Sequence, residues 1–514
     1  MEGEHSSMYL SSRRIISFRV VGPLVLLAVA AYSSHAQSSG STSPLSNTIT
    51  TPRPFDPALN TTSPSSFATQ SQNPFLGSVP DKTVVPGVLS LTLQDAVQRA
   101  LQSNLGMVDS RHTDAEARAA RIRALAPLLP HLSLDAAQHY ETFDENVVGG
   151  QFLGIPNRIG PFGYQAAELH LSQSLFNWSA RDQAEAASQQ RGATLASMGD
   201  AREIVVLAAA SAYLQVASSA ARVHAAEAQL ETAKAFDEIM SDRVRREVSP
   251  ELDAIRARVA LETSALRLRL LKARLEKDKL ALTRIIGLPL EQQFDICDEQ
   301  VYSPRPPLTV EAALETALSH RSDLKAEAAR ESAAAELVRA KKSERLPTVG
   351  ATASWGAIGI NPGTMNGNYD VGATLHIPIL TGGQIKADIV EADATLERRR
   401  AEYEDLKARV AFDVRNAFLD VDAADDSVGV SQRNVELSHR GLKQAQDRFQ
   451  VGLATNYEVI QAQEAVAASE ENLIASINAH NLAKLELIRA LGIAEPSLTE
   501  YVKTQKISDR QIRP

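Results

Sequence analysis

Cysteine is almost missing from these 514 residues, with Cys297 standing alone. That excludes an internal disulfide and any zinc or iron–sulfur site built on cysteine. Aromatic residues make up only 5% of the chain. Phe, Tyr and Trp ordinarily fill the middle of a wide globular interior, whereas the apolar quota here falls to Ala, Leu and Val, which suit closely spaced helices. An excess of positive charge is absent as well. Lys and Arg number 53 against 62 Asp and Glu, a net charge of −9, and this balance argues against a nucleic-acid partner. Nor is there an HExxH, a G-x-S-x-G, a phosphate-cradling Gly-rich loop or a Cys/His cluster. The 11 His are scattered, and His112, His131, His139 and His376 are expected on solvent-facing or strand surfaces rather than around a metal. No enzyme activity, cofactor or metal is expected.

The N-terminus is an address rather than structure. Arg13 and Arg14 precede an apolar run from Val20 to Tyr32, and Ser34-His35-Ala36 offers small residues at a cleavage point before Gln37. The run is too short for a hydrocarbon core that takes about 20 residues, so residues 1–36 form a signal peptide on this reading. From 37 to 88 Ser, Thr, Pro and Asn dominate. Such a composition cannot bury enough surface to offset its ordering entropy, and a disordered arm is expected. Residues 496–514 are expected to be a short polar tail.

The body between them repeats itself. Leu91-Thr92, Ala96, Ala100-Leu101 and Leu129-Pro130 recur 217 residues later as Leu308-Thr309, Ala313, Ala317-Leu318 and Leu346-Pro347. Arg243, Ile255, Leu282 and Gly287 recur 205 residues later as Arg448, Ile460, Leu487 and Gly492. A constant offset marks a tandem duplication, with halves at 89–290 and 308–495 and a linker at 291–307. The shrinking offset places extra residues of half one in a 144–162 insertion around Gly149-Gly150.

Each half is expected to run short helix, helix, two strands, very long helix, turn, helix. The strands fall at about 132–143 and 164–176 in half one and 348–358 and 369–380 in half two, where the helical period is lost between Gly and Pro. Pro-free runs at 179–246 and 384–451 predict continuous helices of roughly 100 Å at 1.5 Å per residue. A returning helix at about 250–286 and a preceding one at about 107–125 nearly match that length end to end. One long helix should therefore lie beside two stacked shorter ones. The returning helix has two apolar seams, one through Leu252, Ile255, Val259, Leu266 and Leu270 and another through Leu261, Leu268, Leu275, Leu282 and Ile286. Two seams call for two neighbours, as in a ring of helices, with an ordinary bundle as the alternative. The strands are long enough to cross an outer membrane, where about 9 to 11 residues suffice. Four strands cannot close a barrel, because bacterial barrels start at about eight, so identical copies would have to pool them.

The opening Leu-Thr-hydrophobic-x-x-Ala-hydrophobic-x-x-Ala-Leu, present at Leu91–Leu101 and Leu308–Leu318, resembles the TolC-type outer-membrane efflux protein family. So do Leu346-Pro347 before a strand, Ile377-Pro378-Ile379-Leu380-Thr381-Gly382-Gly383 before a long helix, and Arg448-Phe449-Gln450-Val451-Gly452-Leu453-Ala454-Thr455 before a returning one. The fold implied is mainly α with a β-barrel part. A homotrimer would share a twelve-stranded outer-membrane barrel, four strands per chain, continuing into a long periplasmic α-helical barrel. The function implied is a passive exit duct of a tripartite efflux or type I secretion system, set in outer-membrane lipid and fed by an inner-membrane transporter and a periplasmic adaptor. On the residues alone the alternative is a soluble periplasmic coiled-coil scaffold or adaptor-like protein. The duplicated strand pair speaks against it.

The resemblance also assigns sites. Val451, Gly452, Leu453 and Thr455 match the family's adaptor-contact turn. Half one departs from it, with Arg246-Glu247-Val248 in place of Val-Gly-Leu and Ser249-Pro250 supplying a cap and a first-turn Pro. Glu458 and Gln461 in half two, and Asp253 and Arg256 in half one, fall at the family's periplasmic aperture, with Arg256 or Arg448 as latch partners. Thr455-Asn456-Tyr457-Glu458 is equally a capping box. Phe176, Trp178 and Trp355 are expected at a membrane interface near the barrel base.

Overall fold

The computed structural model describes residues 73–81, 84–144, 158–305, 307–502 and 504–506, all within the unit Ser63–Pro514. The expected signal peptide, most of the expected arm, the centre of the 144–162 insertion and the last residues of the tail lie outside the described residues. Half one comprises strand β1 (Leu89–Leu91), helices α1 (Leu93–Ser103) and α2 (Leu105–Leu125), strands β2 (His131–Asp144) and β3 (Arg158–Phe176), the long helix α3 (Trp178–Arg245) and the returning helix α4 (Glu251–Ile286). Two short strands follow, β4 (Phe294–Ile296) and β5 (Asp298–Gln300). Half two repeats the plan with α5 (Val310–His320), α6 (Ser322–Ser343), β6 (Thr348–Gly359), β7 (Asn366–His376), α7 (Gln384–Gln450) and α8 (Asn456–Leu491), then ends in α9 (Ala494–Tyr501) and β8 (Thr504–Lys506).

Helices α3 and α7 run for 68 and 67 residues without interruption, about 100 Å each. Along α3 lie α2 and α6 over one stretch and α4 over another, and α7 is flanked by α6 and α8 in the same way. Small side chains allow this close packing. Val205, Val206, Ala209 and Ala210 of α3 share one core with Val410, Val414 and Ala417 of α7 and Leu485 and Ile488 of α8. Tyr213 is the largest fully buried side chain there. Its hydroxyl donates to the Leu91 carbonyl and to Asp298 Oδ2, both at 3.1 Å. Burial, followed by the neighbouring Asp298 charge, pushes the phenol well above its ordinary range. Asp298 Oδ2 also accepts from the Leu93 amide at 3.1 Å, so one buried carboxylate ties the linker to the start of half one.

The long strands form one antiparallel sheet in the order β2-β3-β6-β7, so the hairpins of the two halves lie side by side. Register separates the side chains over the middle rows of the sheet. Leu134, Leu169, Trp355 and Tyr369 stand opposite one another across the four strands, as do Leu132, Leu171, Ala353 and Val371. Between these rows, on the other face, lie Ser133, His170, Ser354 and Asp370. One face is thus an apolar belt and the other is polar, the period-2 consequence of a pleated strand. Among the described residues no strand pairs with the outer edge of β2 or of β7.

The structure departs from the sequence-based expectations at several points of the fold. Strand β3 starts at Arg158, within the expected insertion, because its ladder with β2 continues past a bulge between Glu141 and Phe143. The strand expected at 369–380 is Asn366–His376. It stops before Ile377-Pro378, where proline has no N–H to give the ladder. The end of the expected disordered arm is ordered: Asn104 Nδ2 donates to the Phe75 carbonyl at 2.8 Å, and the missing side chain of Gly106 leaves room for the Phe75 ring. Within the expected linker, β4 pairs in parallel with β1 and β5 pairs antiparallel with β8. The tail, finally, begins inside α9, whose Leu498 and Tyr501 join the main core.

Candidate functional site

Both long helices end in the same backbone device. In half two, Gly452 has φ 77°, the Gly452 amide donates to the Phe449 carbonyl at 3.2 Å, and the Leu453 amide donates to the Arg448 carbonyl at 2.8 Å. In half one, Glu247 has φ 59°, its amide donates to the Val244 carbonyl at 2.9 Å, and the Val248 amide donates to the Arg243 carbonyl at 2.9 Å. Each turn satisfies helix-end carbonyls through a left-handed residue. The departure in half one is therefore one of side chains and not of backbone path. The cap expected from Ser249-Pro250 falls one residue later: Pro250 is itself the N-cap, in extended conformation and without a side-chain bond. The turns present Val248, Val451 and Leu453 at about 70% exposure, more apolar surface than a solvated turn requires.

The two turns are joined. Asn456, the first residue of α8 and only 2% exposed, donates from Nδ2 to the Asp253 carbonyl of α4 at 2.7 Å. Beneath it Phe236, Met240, Ala257 and Val459 form a small core shared by both halves. Arg243 lies over the Phe449 ring at 4.6 Å. These contacts bring the aperture candidates Asp253 and Glu458 to the same end of the molecule.

Glu458 closes the capping box: Oε1 accepts from the Thr455 amide at 3.2 Å, while the Glu458 amide donates to Thr455 Oγ1 at 3.4 Å. The same carboxylate lies 3.7 Å from Arg448, whose guanidinium also donates to the Leu453 carbonyl at 3.1 Å. The cap and the ion pair coexist on one side chain. Arg256 lies 3.9 Å from Asp253 one turn away on its own helix, so the half-one pair is local. Gln461 is exposed, one turn beyond Glu458. Sequence reasoning missed Asn456 as a bridge, because a first-turn Asn reads as part of a cap. Arg243 was visible only as a position in the repeat, and Phe449 only as part of the motif before the returning helix.

The aromatic candidates separate. Phe176 ends β3 and Trp178 opens α3, both at the helix end of the sheet. Trp355 lies seven residues along β6 from Thr348, about 24 Å away at 3.4 Å per residue, and is paired with Leu169 and Tyr369. Trp355 is thus not at the barrel base but well up the apolar belt. Among the described residues no group of three or more His, Cys, Asp or Glu is placed to hold a metal.

An apolar belt on an unclosed sheet, carried by helices far longer than a globular core needs, defines a membrane duct with a long helical extension. Residues 96–288 and 313–493 match the model of the family described as outer membrane efflux protein, once per half. The chain belongs to that family, and it is an efflux channel of the outer membrane with its helical part in the periplasm. Pyoverdine export outer membrane protein OpmQ of Pseudomonas aeruginosa is 25% identical over 410 residues, spanning 78% of this chain and 85% of that protein. Outer membrane efflux protein BepC of Brucella suis is 24% identical over 330 residues, 63% of this chain and 71% of that one. Among solved structures, the outer membrane protein VceC of Vibrio cholerae superposes with a TM-score of 0.67 at 21% identity, covering 78% of this chain and 96% of that one. The Campylobacter jejuni CmeC outer membrane channel gives a TM-score of 0.69 at 17% identity, covering 84% and 95%. These likenesses set aside the soluble-scaffold alternative.

Proposed function

We propose that three copies of the chain pool their sheets into one twelve-stranded barrel and their long helices into one tunnel, forming the passive exit duct of a tripartite efflux or type I secretion machine. The observation that carries this reading is the sheet: an apolar belt across four strands with both edges unpaired. In lipid each unpaired backbone group costs several kcal/mol, so the edges β2 and β7 of neighbouring copies must meet. A second support is the outer seam of α4. Leu252, Ile255, Val259, Leu266 and Leu270 are each more than half exposed, whereas Leu282 and Ile286 of the other seam are buried. A neighbouring copy would cover the open seam.

The exposed Val451 and Leu453, with Gly452 and Thr455, form the surface offered to a periplasmic adaptor, through which an inner-membrane transporter delivers cargo. Val248 extends that surface to half one. Phe176 and Trp178 serve as the periplasmic-side interface residues of the strand portion. A photo-crosslinking residue at Leu453 in cells should capture an adaptor protein, and one at Val259 should capture a second copy. Recovery of the protein as a monomer from outer membranes, with no capture from Val259, would refute the pooled duct.

A further inference from the structure

The polar face of the sheet carries a second pattern. Four of the chain's 11 His, namely His131, His139, His170 and His376, stand on it. The same face bears four carboxylates, Asp135, Glu141, Glu168 and Asp370, and no Lys or Arg is found among the described side chains of the four strands. His170 Nε2 lies 3.4 Å from Glu168 and 3.8 Å from Asp135, and Asn368 donates to Glu168 at 2.9 Å. His139 stacks on Tyr164 at 4.9 Å. His131 and His376 stand at the helix ends of the two edge strands, opposite Ser172 and Thr348. Strand β6 brings no titratable side chain to either face, and neither does the turn Ala126–Leu128 that touches β3.

We propose that these imidazoles set the charge selectivity of the duct, making its strand portion cation-preferring above neutrality and open to anions in acid. This rests on the barrel reading, in which the apolar belt meets lipid and the polar face meets the water-filled passage. Imidazole is the side chain whose charge ordinarily changes between pH 5 and 8, and carboxylates ordinarily stay ionised down to about pH 5. With neutral imidazoles the four carboxylates leave four negative charges per chain; with all four imidazoles protonated the face is neutral. Three copies multiply that swing. Charged side chains ringing a passage decide which ions enter it, and low-dielectric walls focus their field. Anionic cargo would meet a repulsive lumen at pH 8 and a neutral one in acid.

The test is the reversal potential of the full chain in planar bilayers under a KCl gradient, at pH 7.5 and at pH 5.5. It compares wild type with the quadruple variant His131→Gln, His139→Gln, His170→Gln, His376→Gln. The cation-to-anion permeability ratio of the wild type should fall by roughly threefold or more on acidification, and the variant should hold a high ratio at both values. An equal pH response in both proteins would overturn the assignment, as would a wild-type ratio that does not move. The four single variants cover a failure of the quadruple one to assemble: each should lose part of the shift, and a full shift in all four would overturn the proposal. Conductance with a pH-invariant ratio refutes only the imidazoles, whereas no conductance from any of the proteins refutes the barrel itself.

Discussion

The paired turns at the ends of the long helices allow a reciprocal test of backbone strain. Glu247 and Gly452 hold the same left-handed conformation, φ 59° and 77°, in equivalent turns. A side chain in that conformation costs roughly 1 to 2 kcal/mol, so Glu247→Gly should stabilise its turn by about 1 kcal/mol. Nothing lies within 4 Å of a Cβ built on Gly452. Gly452→Ala therefore meets no clash, and its penalty of about 1 kcal/mol is conformational alone. Hydrogen exchange reads both changes at single amides. Val248 N–H, bonded to the Arg243 carbonyl at 2.9 Å, should gain about fivefold in protection in Glu247→Gly, and Leu453 N–H, bonded to the Arg448 carbonyl at 2.8 Å, should lose as much in Gly452→Ala. Gly492→Ala supplies the contrast. Its Cβ would stand 2.8 Å from Arg321 Cα and 2.9 Å from Arg321 N, so overpacking adds about 1 to 3 kcal/mol and the loss should spread through the core. If Glu247→Gly leaves Val248 protection unchanged or lowers it, the claim that the two turns share one strained conformation is wrong.

Three other perturbations bear on different parts of the molecule. Asn456→Ala removes the bond to the Asp253 carbonyl and should destabilise the junction of the turns by about 1 to 2 kcal/mol; faster amide exchange in residues 251–256 is the expected sign, and an unaltered rate would deny Asn456 its bridging role. Leu169→Arg places a charge on the apolar belt and should reduce outer-membrane assembly by about 2 to 4 kcal/mol, whereas His170→Arg on the opposite face should be tolerated; equal loss in both would contradict the assignment of faces. His480 is fully buried, its ring nitrogen Nε2 3.3 Å from the Ser303 carbonyl, and burial followed by the nearby Lys484 charge lowers its pKa below the ordinary value. The folded chain thus holds fewer protons at this ring than the unfolded chain. Its contribution is complete above the ordinary His range and is lost as pH falls below it. His480→Gln should narrow the difference between melting temperatures at pH 8 and pH 5, and an undiminished difference would count against the ring as an acid-side liability.

What the sequence disclosed and what it withheld divide along physical lines. Long Pro-free runs and a constant repeat offset are local or periodic signals, so α3, α7 and the duplication could be seen before any contact was known. The sheet faces could not. Asp135 and Leu134 are neighbours in the chain, but only the register that sets Leu134 against Leu169, Trp355 and Tyr369 turns a weak alternation into a belt. For the same reason Trp355 was placed at the wrong height: its type suggested an interface, while its distance from Thr348 is a property of the strand. Short strands such as β4 and β8 carry three residues each, too few for any period to show. Asn456 illustrates a different limit, since one side chain type serves a local cap or a bridge to the other half with the same letter in the sequence.

The segment between the repeats has a bearing on how this protein could be divided. Its first short strand holds Leu89–Leu91 from one end of the body, its second holds Thr504–Lys506 from the other, and Asp298 at the start of the second grips Leu93 and Tyr213. A gene split at the midpoint would therefore sever a clasp rather than a tether. A cut before β4 would leave β1 without its partner, a cut after β5 would leave β8 without its own, and a cut between them would part Asp298 from Leu93 and Tyr213, so co-expressed halves should recover the full structure only by finding each other again.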